Sequence, residues 1–372
     1  MSEPHVWLKH LSCRDFRNFE RLDLELPESG LAIIGENGQG KTNLLESIYY
    51  LQVLRSVRGA RDQDLVRFGA KGFHISARSR SDGDHTLSAG FETAGKKKKV
   101  TLDGAVAARL SDAFGSLPSV MFSPRDIQLI AGAPSERRRF LDLVLALTSR
   151  RYLAALQHYR AGLARRNAAL RDAARTGDGA SVAVWEPTLA EYGATLVMER
   201  ACWVKERADE FARLCAAIGE PGEARMTYVS AISKADDTRA ALADSLERHR
   251  RHDIRRGVTH SGPHRDDVAL TLDGRELRLF GSAGQQRTAA IALRMLEGAT
   301  LRESRGLAPI LLLDDPFAEL DLRRSARILQ LLCGAGLGQT ILVVPRAGDI
   351  PPELVGLERR RIHAGSVEGA AA

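Results

Sequence analysis

Two kinds of hydrophobic pattern at the start and end of the chain predict strands. Apolar and polar residues alternate at 22–26, as in a strand with one buried face. Unbroken apolar runs at 31–34, 310–313 and 341–344 are typical of strands buried on both faces of a parallel sheet. The patterns predict an α/β fold with mixed β-sheets.

The middle of the chain has a helical period, from Pro134 to about Ile254. Apolar heptads are not sustained there, so the pattern favours a compact α-helical lobe over a long coiled coil. We expect a disordered tail from Gly365. The predicted segments are an N-terminal part at 1–125, an inserted helical lobe at 126–257 and a C-terminal part at 258–372.

The stretch from Gly35 to Thr42 fits the pattern G-x-x-x-x-G-K-S/T at every fixed position. An apolar strand pattern precedes it and a helical pattern follows, which is the context that a P-loop requires. We expect Lys41 to face the β- and γ-phosphates of ATP and Thr42 to bind Mg²⁺. The predicted nucleotide-binding residues of the loop are Gly35, Glu36, Asn37, Gly38, Gln39, Gly40, Lys41, Thr42 and Asn43.

A second phosphate-chemistry motif ends the apolar run at 310–313. Asp314 and Asp315 follow that run, as in a Walker B strand. We expect Asp314 to hold Mg²⁺, and Asp315 to orient or deprotonate the attacking water. Aspartates that end a buried strand also occur for capping alone, but the P-loop makes the functional interpretation the stronger one.

Residues 280–286 begin a long helical pattern and resemble the signature motif of ABC-type ATPases. In that family the signature of one protomer caps the γ-phosphate held by another, so the resemblance implies a homodimer. We take Ser282 and Gln285 as catalytic candidates, with a plain helix N-cap as the alternative. The stretch from Glu319 to Asp321 resembles the D-loop of the same family, and an N-cap by Asp321 is compatible with it.

Charge gives weaker indications. The net charge of +7 favours polyanionic partners, but a basic balance alone is as often a solvated surface. Lysines at 96–99 suit either DNA contact or protection of an edge strand. Without interleaved aromatic residues, sequence-specific readout is not expected. The candidate DNA contacts are Lys97, Lys98, Arg137, Arg138, Arg250 and Arg251.

Other classes of protein are disfavoured by composition. The four cysteines are scattered and match neither a zinc pattern nor an expected disulfide. No apolar stretch is long enough to span a bilayer, and the first ten residues do not resemble a signal peptide. We expect a cytoplasmic protein.

Several further blocks resemble the RecF family along nearly the whole chain. Its ATP motifs and these blocks occur together in one order, which makes the resemblance specific. The blocks lie at 15–19, 35–46, 122–126, 134–142, 262–267 and 284–288. The family implies an ABC-type P-loop ATPase head with an inserted helical lobe.

The resemblance also implies function. Members act as ATP-dependent dimers that bind double-stranded DNA at gaps and help load recombinase, working with RecO and RecR. The implied location is the nucleoid, and the implied activity is a slow DNA-dependent ATPase. Arg17 and Asn18 resemble the family's nucleotide-proximal segment, although a turn at a strand end has the same pattern.

Two positions depart from related patterns. ABC enzymes usually follow the Walker B aspartate with glutamate, whereas this chain has Asp315, as RecF-like sequences do. Where RecF-like proteins have a hydroxyl-rich turn that senses the γ-phosphate, this chain has Val343 to Arg346. Either Arg346 is the sensor, or hydrolysis is impaired while ATP binding persists; our hypothesis is the second. The competing classes are a transport-coupled ABC subunit and a nucleotide-independent scaffold.

Overall fold

The computed structural model describes residues 4–177, 179–316, 321–334, 338–354 and 356–368. The chain forms two compact units, Met1–Asp126 with Glu297–Ala372, and Ile127–Leu296. We call them the first and second units. The second unit starts at Ile127, close to the predicted boundary between 125 and 126. It ends at Leu296, beyond the predicted end of the helical lobe at 257.

The strands of the first unit form two sheets, and those of the second unit form one small sheet. Numbered along the chain, the strands are β1 Trp7–Phe16, β2 Phe19–Glu25, β3 Gly30–Ile34, β4 Gly72–Arg80, β5 Asp84–Glu92, β6 Lys97–Leu102, β7 Ala105–Val106, β8 Ser119–Phe122, β9 Ala224–Val229, β10 Asp267–Leu272, β11 Arg275–Glu276, β12 Ile310–Asp314, β13 Thr340–Val344, β14 Glu358–His363 and β15 Ser366–Val367.

The helices are concentrated in the second unit, as the sequence predicts. They are α1 Lys41–Val53, α2 Leu110–Ala113, α3 Gln128–Ala131, α4 Pro134–Thr148, α5 Arg150–Thr176, α6 Ala180–Ala183, α7 Glu186–Ile218, α8 Thr238–Arg256, α9 Leu277–Phe280, α10 Ala283–Arg305 and α11 Leu322–Gly334. Among the described residues, no helix is both long and apolar enough to cross a membrane.

The sheet that carries the phosphate motifs has the order β15-β14-β3-β13-β12-β8. All neighbours are parallel except β14 and β15. Strands β3, β12 and β13 are almost wholly buried, which explains their continuous apolar sequences. Because the strands are parallel, their carboxyl ends and the loops that follow lie at one edge.

An antiparallel sheet with the order β2-β1-β4-β5-β6-β7 supports the P-loop helix from the other side. Its strands alternate between buried apolar and exposed polar residues, as the pattern at 22–26 predicts. Phe16 and Phe73 pack edge to face at 5.3 Å, and Tyr50 of α1 packs against Phe73 at 5.4 Å. This aromatic contact fixes α1 against the inner face of the sheet.

The second unit is built from helices α4, α5, α7 and α8 and the small sheet β11-β10-β9. Its helix ends have sequence-encoded caps. The Ser149 side chain accepts from the Tyr152 amide at the start of α5, and Gly177 ends that helix with φ 78°. Strand β9 lies inside the stretch predicted as helical, where that prediction is wrong because the strand pairs with β10 over six residues.

Candidate nucleotide-binding site

Four parallel strands bring the predicted phosphate motifs together. The P-loop follows β3, Asp314 ends β12, Pro345 follows β13 and Pro124 follows β8. In the sheet, β13 lies between β3 and β12, so the two halves of the ATP motif meet although most of the chain separates them. The sequence predicts that these motifs act together, and the strand order shows how they meet.

The P-loop backbone needs glycine at two positions. Gly38 has φ 84° and Gly40 has φ 111°, in the region that side chains disfavour. A Cβ on Gly40 would lie 2.5 Å from the Asn18 amide. Gly40 also caps α1, so the first free N–H groups of that helix point into the loop. The geometry makes an anion site at the positive end of the helix.

Lys41 is held inside the loop. Its Nζ donates to the carbonyl oxygens of Gly35 at 2.5 Å and Glu36 at 2.8 Å. Burial lowers the pKa of Lys41, while Asp314, Asp315 and Glu36 act in the opposite direction. Neutral carbonyls are weaker partners for an ammonium than phosphate oxygens. Lys41 is therefore poised to exchange one set of acceptors for the other.

Thr42 and Asp314 form the pair expected of a Mg²⁺ site. The Thr42 hydroxyl donates to Asp314 Oδ1 at 3.0 Å. Burial raises the pKa of Asp314, and the Thr42 hydrogen bond and nearby Arg58 counteract the rise. A hydroxyl and a carboxylate oxygen at this distance are hard ligands suited to Mg²⁺, with phosphate and water completing its shell. The residues fit the metal.

Asp315 lies directly after the metal ligand, in an unusual backbone conformation. Its φ is 45°, and its N–H donates to the Val343 carbonyl at 3.1 Å. The left-handed region is uncommon for a non-glycine residue, although aspartate tolerates it better than most. The turn aims this residue at the cavity instead of along the strand.

A cavity of about 390 Å³ unites these residues. Its walls are formed by Asn37, Gly38, Gly40, Lys41, Thr42, Asn43, Arg58, Pro124, Asp314, Asp315 and Pro345. Three predicted loop residues, Gly35, Glu36 and Gln39, do not line it. A Cβ on Gly35 would lie 2.6 Å from the Ile362 carbonyl, so that glycine serves close packing of the loop on β14.

Arg17 and Asn18 support the loop and do not line the cavity. Asn18 donates to the Gln39 carbonyl at 3.1 Å and accepts from the Asn43 side chain at 2.8 Å. Arg17 contacts Glu46 through two hydrogen bonds of 3.0 and 3.2 Å. Both residues hold elements of the P-loop in place.

Sequence reasoning missed two charged residues of the site, Glu46 and Arg58. Glu46 is fully buried and accepts from Arg17 and Ser56, and Arg58 Nε lies 3.7 Å from it. Arg58 also donates to Asn43 at 3.0 Å and lines the cavity. The sequence carried one signal for this pair. Glu46 falls at a buried position of the α1 pattern, and a buried carboxylate requires a cation partner.

The C-terminal hairpin also holds the P-loop. The Ala364 N–H donates to Gln39 Oε1 at 2.6 Å, and the Gly365 N–H donates to the Gln39 carbonyl at 3.0 Å. The prediction of a disordered tail from Gly365 is therefore wrong for the turn and for β15, which pairs with β14. We call this contact between Gln39 and residues 364–365 the C-terminal clasp.

The candidate signature begins helix α10. Ser282 Oγ accepts from the Gln285 N–H at 3.3 Å, and Gln285 Oε1 accepts from the Ser282 N–H at 2.9 Å. This reciprocal pair is a capping box, so the geometry agrees with the N-cap alternative. Ser282 is exposed, which leaves its second role as a prediction. Glu319 and Leu320 of the D-loop lie outside the described residues, and Asp321 caps α11 through the Arg324 N–H at 2.9 Å.

Several predicted DNA contacts are already paired inside the protein. Arg137 is 4% exposed and binds both carboxylate oxygens of Asp267 at 2.8 Å, so its interpretation as a DNA contact is corrected. Lys98 lies 2.7 Å from Asp62 and donates to the Leu54 carbonyl. Arginine and lysine runs hide this distinction, because burial depends on which face each residue occupies.

The four remaining candidate DNA contacts differ in exposure and in their partners within the protein. Arg138 donates to the Asp266 carbonyl at 2.7 Å and is partly buried. Arg250 contacts Glu186 at 2.5 and 3.0 Å. Lys97 and Arg251 are exposed. The geometry leaves Lys97 and Arg251 better placed for a phosphate than the other four.

A P-loop and a Walker B strand in one parallel sheet, backed by an antiparallel sheet, define an ABC-type ATPase head. The family model that matches this chain, over residues 7–348, is described as the RecF/RecN/SMC N terminal domain. Heads of Smc proteins share the fold: one from Pyrococcus furiosus superposes with a TM-score of 0.58 at 15% identity, covering 99% of this chain and 96% of its own.

Curated relatives are more specific. The DNA replication and repair protein RecF of Frankia alni is 36% identical over 97% of this chain and 98% of its own length. That of Roseiflexus castenholzii is 37% identical, over 88% and 90%. A solved structure of the recombination mediator RecF with ATP, in the RecFOR pathway, superposes with a TM-score of 0.90 at 28% identity, covering 100% of this chain and 99% of its own. The chain belongs to the RecF family of DNA replication and repair proteins.

Proposed function

We propose that this protein is an ATP-dependent DNA clamp of recombinational gap repair. The observation that carries the proposal is the cavity at the edge of the parallel sheet, where Lys41, Thr42, Asp314 and Asp315 meet. A family relationship to a DNA replication and repair protein supports the biological role. A transport-coupled subunit is not supported, since neither the relatives nor the fold comparison point to one.

Each residue of the cavity has a role in binding the triphosphate. The free N–H groups of the P-loop donate to oxygens of the β-phosphate at the helix N-terminus. Lys41 leaves the carbonyls of Gly35 and Glu36 and donates to phosphate oxygens, which are the stronger acceptors. Arg58 lines the same cavity and adds a second positive charge. Binding is thus an exchange of partners within a site that is already formed.

Thr42 and Asp314 would hold Mg²⁺, which when bound neutralises charge that develops on the phosphates. The Thr42 hydroxyl lies 3.0 Å from Asp314 and so presents two oxygens on one side of the cavity. Asp315 is the candidate that orients and deprotonates the attacking water. Its φ of 45° points it into the cavity and away from the strand direction.

Hydrolysis is proposed to be slow and to need DNA and a second protomer. Ser282, exposed at the start of α10, and the partly buried Gln285 would cap the γ-phosphate held by the other protomer. At the sensor position Pro345 lines the cavity and has no N–H to donate. Arg346 is exposed and does not line the cavity, which supports impaired turnover over replacement of the sensor by this arginine.

The proposed cycle follows from these roles. Two protomers close on two ATP molecules and enclose duplex DNA beside a single-strand gap, and hydrolysis reopens the dimer. The family relationship supports RecO and RecR as partners in loading recombinase, because a relative is described as acting in the RecFOR pathway. Such a protein works in the cytoplasm on the nucleoid.

Sedimentation of the purified protein with ATP and Mg²⁺, with and without gapped duplex DNA, tests the proposal. We expect a monomer without ATP and a dimer with ATP that DNA strengthens. Lys41→Met should remain monomeric under both conditions, while Lys71→Met, a change at an exposed lysine, should behave as the unaltered protein. A monomer under all conditions, or a Lys41→Met dimer that forms with ATP, contradicts the clamp.

A further inference from the structure

The outer face of the antiparallel sheet carries a row of residues that includes three cations, of which only Lys99 lies in a basic run of the sequence. Cross-strand register places Arg21 of β2 opposite Arg14 of β1, Arg14 opposite His74 of β4, His74 opposite Gly90 of β5, and Gly90 opposite Lys99 of β6. These five residues, which we call the cation row, run across the strands and contain no acidic residue.

The cation row is available to a ligand. The side chains of Arg14, Arg21, His74 and Lys99 are exposed. Within the described part of the chain, none of these four has a hydrogen-bond or ion-pair partner. Two other basic residues of the same face are paired, since Arg78 donates to Glu25 at 2.7 Å and Lys9 to Asp84 at 2.6 Å. The row itself keeps three unpaired cations, Arg14, Arg21 and Lys99.

Two neighbouring features suit a phosphate backbone. Gly90 leaves a gap in the row, because a Cβ there would be only in ordinary contact with His74, at 3.4 Å. A glycine lets a ligand approach the strand closely. The next row of the sheet presents hydroxyls, among them Ser88 and Thr101, whose oxygens lie 2.6 Å apart. Hydroxyls and cations side by side are the usual donors to DNA phosphates.

The length of the row matches a polyanion more than a small anion. Strands in a sheet lie about 4.8 Å apart, so five strands span roughly 19 Å. One DNA strand places a phosphate about every 3.4 Å along the helix axis, so the row covers about half a turn of duplex. The row has no Phe, Tyr or Trp side chain for stacking, which favours backbone contact to duplex over single-strand binding.

We propose that the cation row binds the phosphate backbone of duplex DNA. This inference rests on the proposed function, because it assigns a surface to the DNA binding proposed above. Arg14, Arg21 and Lys99 supply the positive charge, and the open backbone at Gly90 admits a phosphate between His74 and Lys99. The surface reads no sequence, since its contacts are to the backbone alone.

The test measures duplex affinity at several salt concentrations, with ATP and Mg²⁺ present. In the triple variant Arg14→Gln, Arg21→Gln, Lys99→Gln, the slope of log affinity against log salt should become less negative by about 2.7, at about 0.9 for each phosphate contact. Affinity at 0.1 M salt should fall by several hundred-fold, at roughly eightfold per contact. Gly90→Glu, which adds a carboxylate within the row, should also weaken binding at least tenfold.

Arg359→Gln is the matched control. Arg359 is an exposed arginine of the first unit on β14, in the other six-stranded sheet, and its replacement removes one charge as each row substitution does. It should leave affinity and slope within twofold of the unaltered protein. ATP affinity, measured on every variant, should not change, which shows that the nucleotide site is folded.

The outcomes separate the inference from the function on which it rests. Duplex binding by the unaltered protein, with equal affinity and slope in the triple variant and in Gly90→Glu, overturns the cation row and leaves the clamp intact. Absence of duplex binding in the unaltered protein overturns both. A slope change of about 0.9 in Arg359→Gln, one third of the change in the triple variant, shows that only net charge matters and also overturns the assignment.

Discussion

Buried charges occur in both units, but their neighbours differ. In the first unit, Lys41 is 8% exposed and its Nζ contacts neutral carbonyl oxygens at the edge of an open cavity. In the second unit, Arg166 is fully buried and donates to Asp253 at 2.7 Å and Glu186 at 3.0 Å. The first cation has partners that a ligand can replace, whereas the second is already neutralised.

The difference teaches that burial of a cation is not by itself a sign of a binding site. A buried ion pair with carboxylates leaves no charge to offer, and its loss costs stability. A buried ammonium beside carbonyls keeps its full charge for an incoming anion. By this criterion Arg137 and Arg166 hold the second unit together, while Lys41 serves the ligand.

The largest effect is expected from Asp315→Asn in the nucleotide site of the first unit. Loss of a general base lowers turnover by about 100-fold or more. ATP affinity should remain, because Lys41 and the P-loop are untouched, and the DNA-bound dimer should last longer. Phosphate release and nucleotide binding, measured on the same preparation, check this. Unchanged turnover would remove Asp315 from the role of base.

Arg166→Met tests the buried ion pairs of the second unit, in which the cation is already neutralised. Removing one partner of a buried ion pair costs about 3–5 kcal/mol in the free energy of unfolding, since Asp253 and Glu186 lose their cation. Arg160→Met is the control on the same helix: Arg160 pairs with Asp142 but is 53% exposed, and its loss should cost about 1 kcal/mol or less. Denaturant unfolding gives both values. Equal costs would contradict the role assigned to Arg166.

Lys41→Met tests the buried cation of the first unit, whose carbonyl partners a ligand can replace. It should weaken ATP binding on the order of 100-fold, as loss of a charged hydrogen bond costs up to about 3 kcal/mol. The folded structure should persist, since only two carbonyl contacts are lost. Titration with a fluorescent ATP analogue and thermal unfolding together test this. A large loss of stability with little loss of affinity would make Lys41 structural.

A smaller effect concerns pH in the second unit. Burial lowers the pKa of His264 from 6.5 to about 4, and its ring contacts Tyr159 and the Thr259 carbonyl. The unfolded chain therefore binds a proton at higher pH than the folded one, so stability falls as pH drops from 6.5 towards 4. His264→Gln should flatten this part of the stability profile measured by urea unfolding. An unchanged profile would assign the slope to other groups.

The smallest effect distinguishes two neighbouring arginines of α8. Arg251 is exposed, whereas Arg250 is paired with Glu186. We expect Arg251→Gln to make the salt slope of DNA binding at most about 0.9 less negative, and Arg250→Gln to act chiefly on thermal stability. A reversed result, with DNA binding sensitive to Arg250 alone, would show that its ion pair opens on DNA.

The motifs that touch phosphate were predictable because their chemistry is local. The glycines, Lys41 and Thr42 lie within eight residues, 35–42, and Asp314 ends an apolar run. The residues that support them were not, because Glu46, Arg58 and the clasp at 364–365 depend on which strands become neighbours. The arginine runs do not distinguish the buried Arg137 from the exposed Arg251, because spacing along a helix does not say which face a neighbouring element will cover.

The C-terminal clasp ties the two ends of the chain to one loop. Gln39 and Ala364 are separated by 325 residues, yet they are joined by a hydrogen bond of 2.6 Å. Synthesis at about 5–20 residues per second takes roughly 16–65 s to cover that interval. During this time a nascent chain has its P-loop and the Asn18 contact to Gln39 but not the clasp. The clasp forms only once residues 364–365 have been made, so the P-loop reaches its full set of contacts long after its own residues are synthesised.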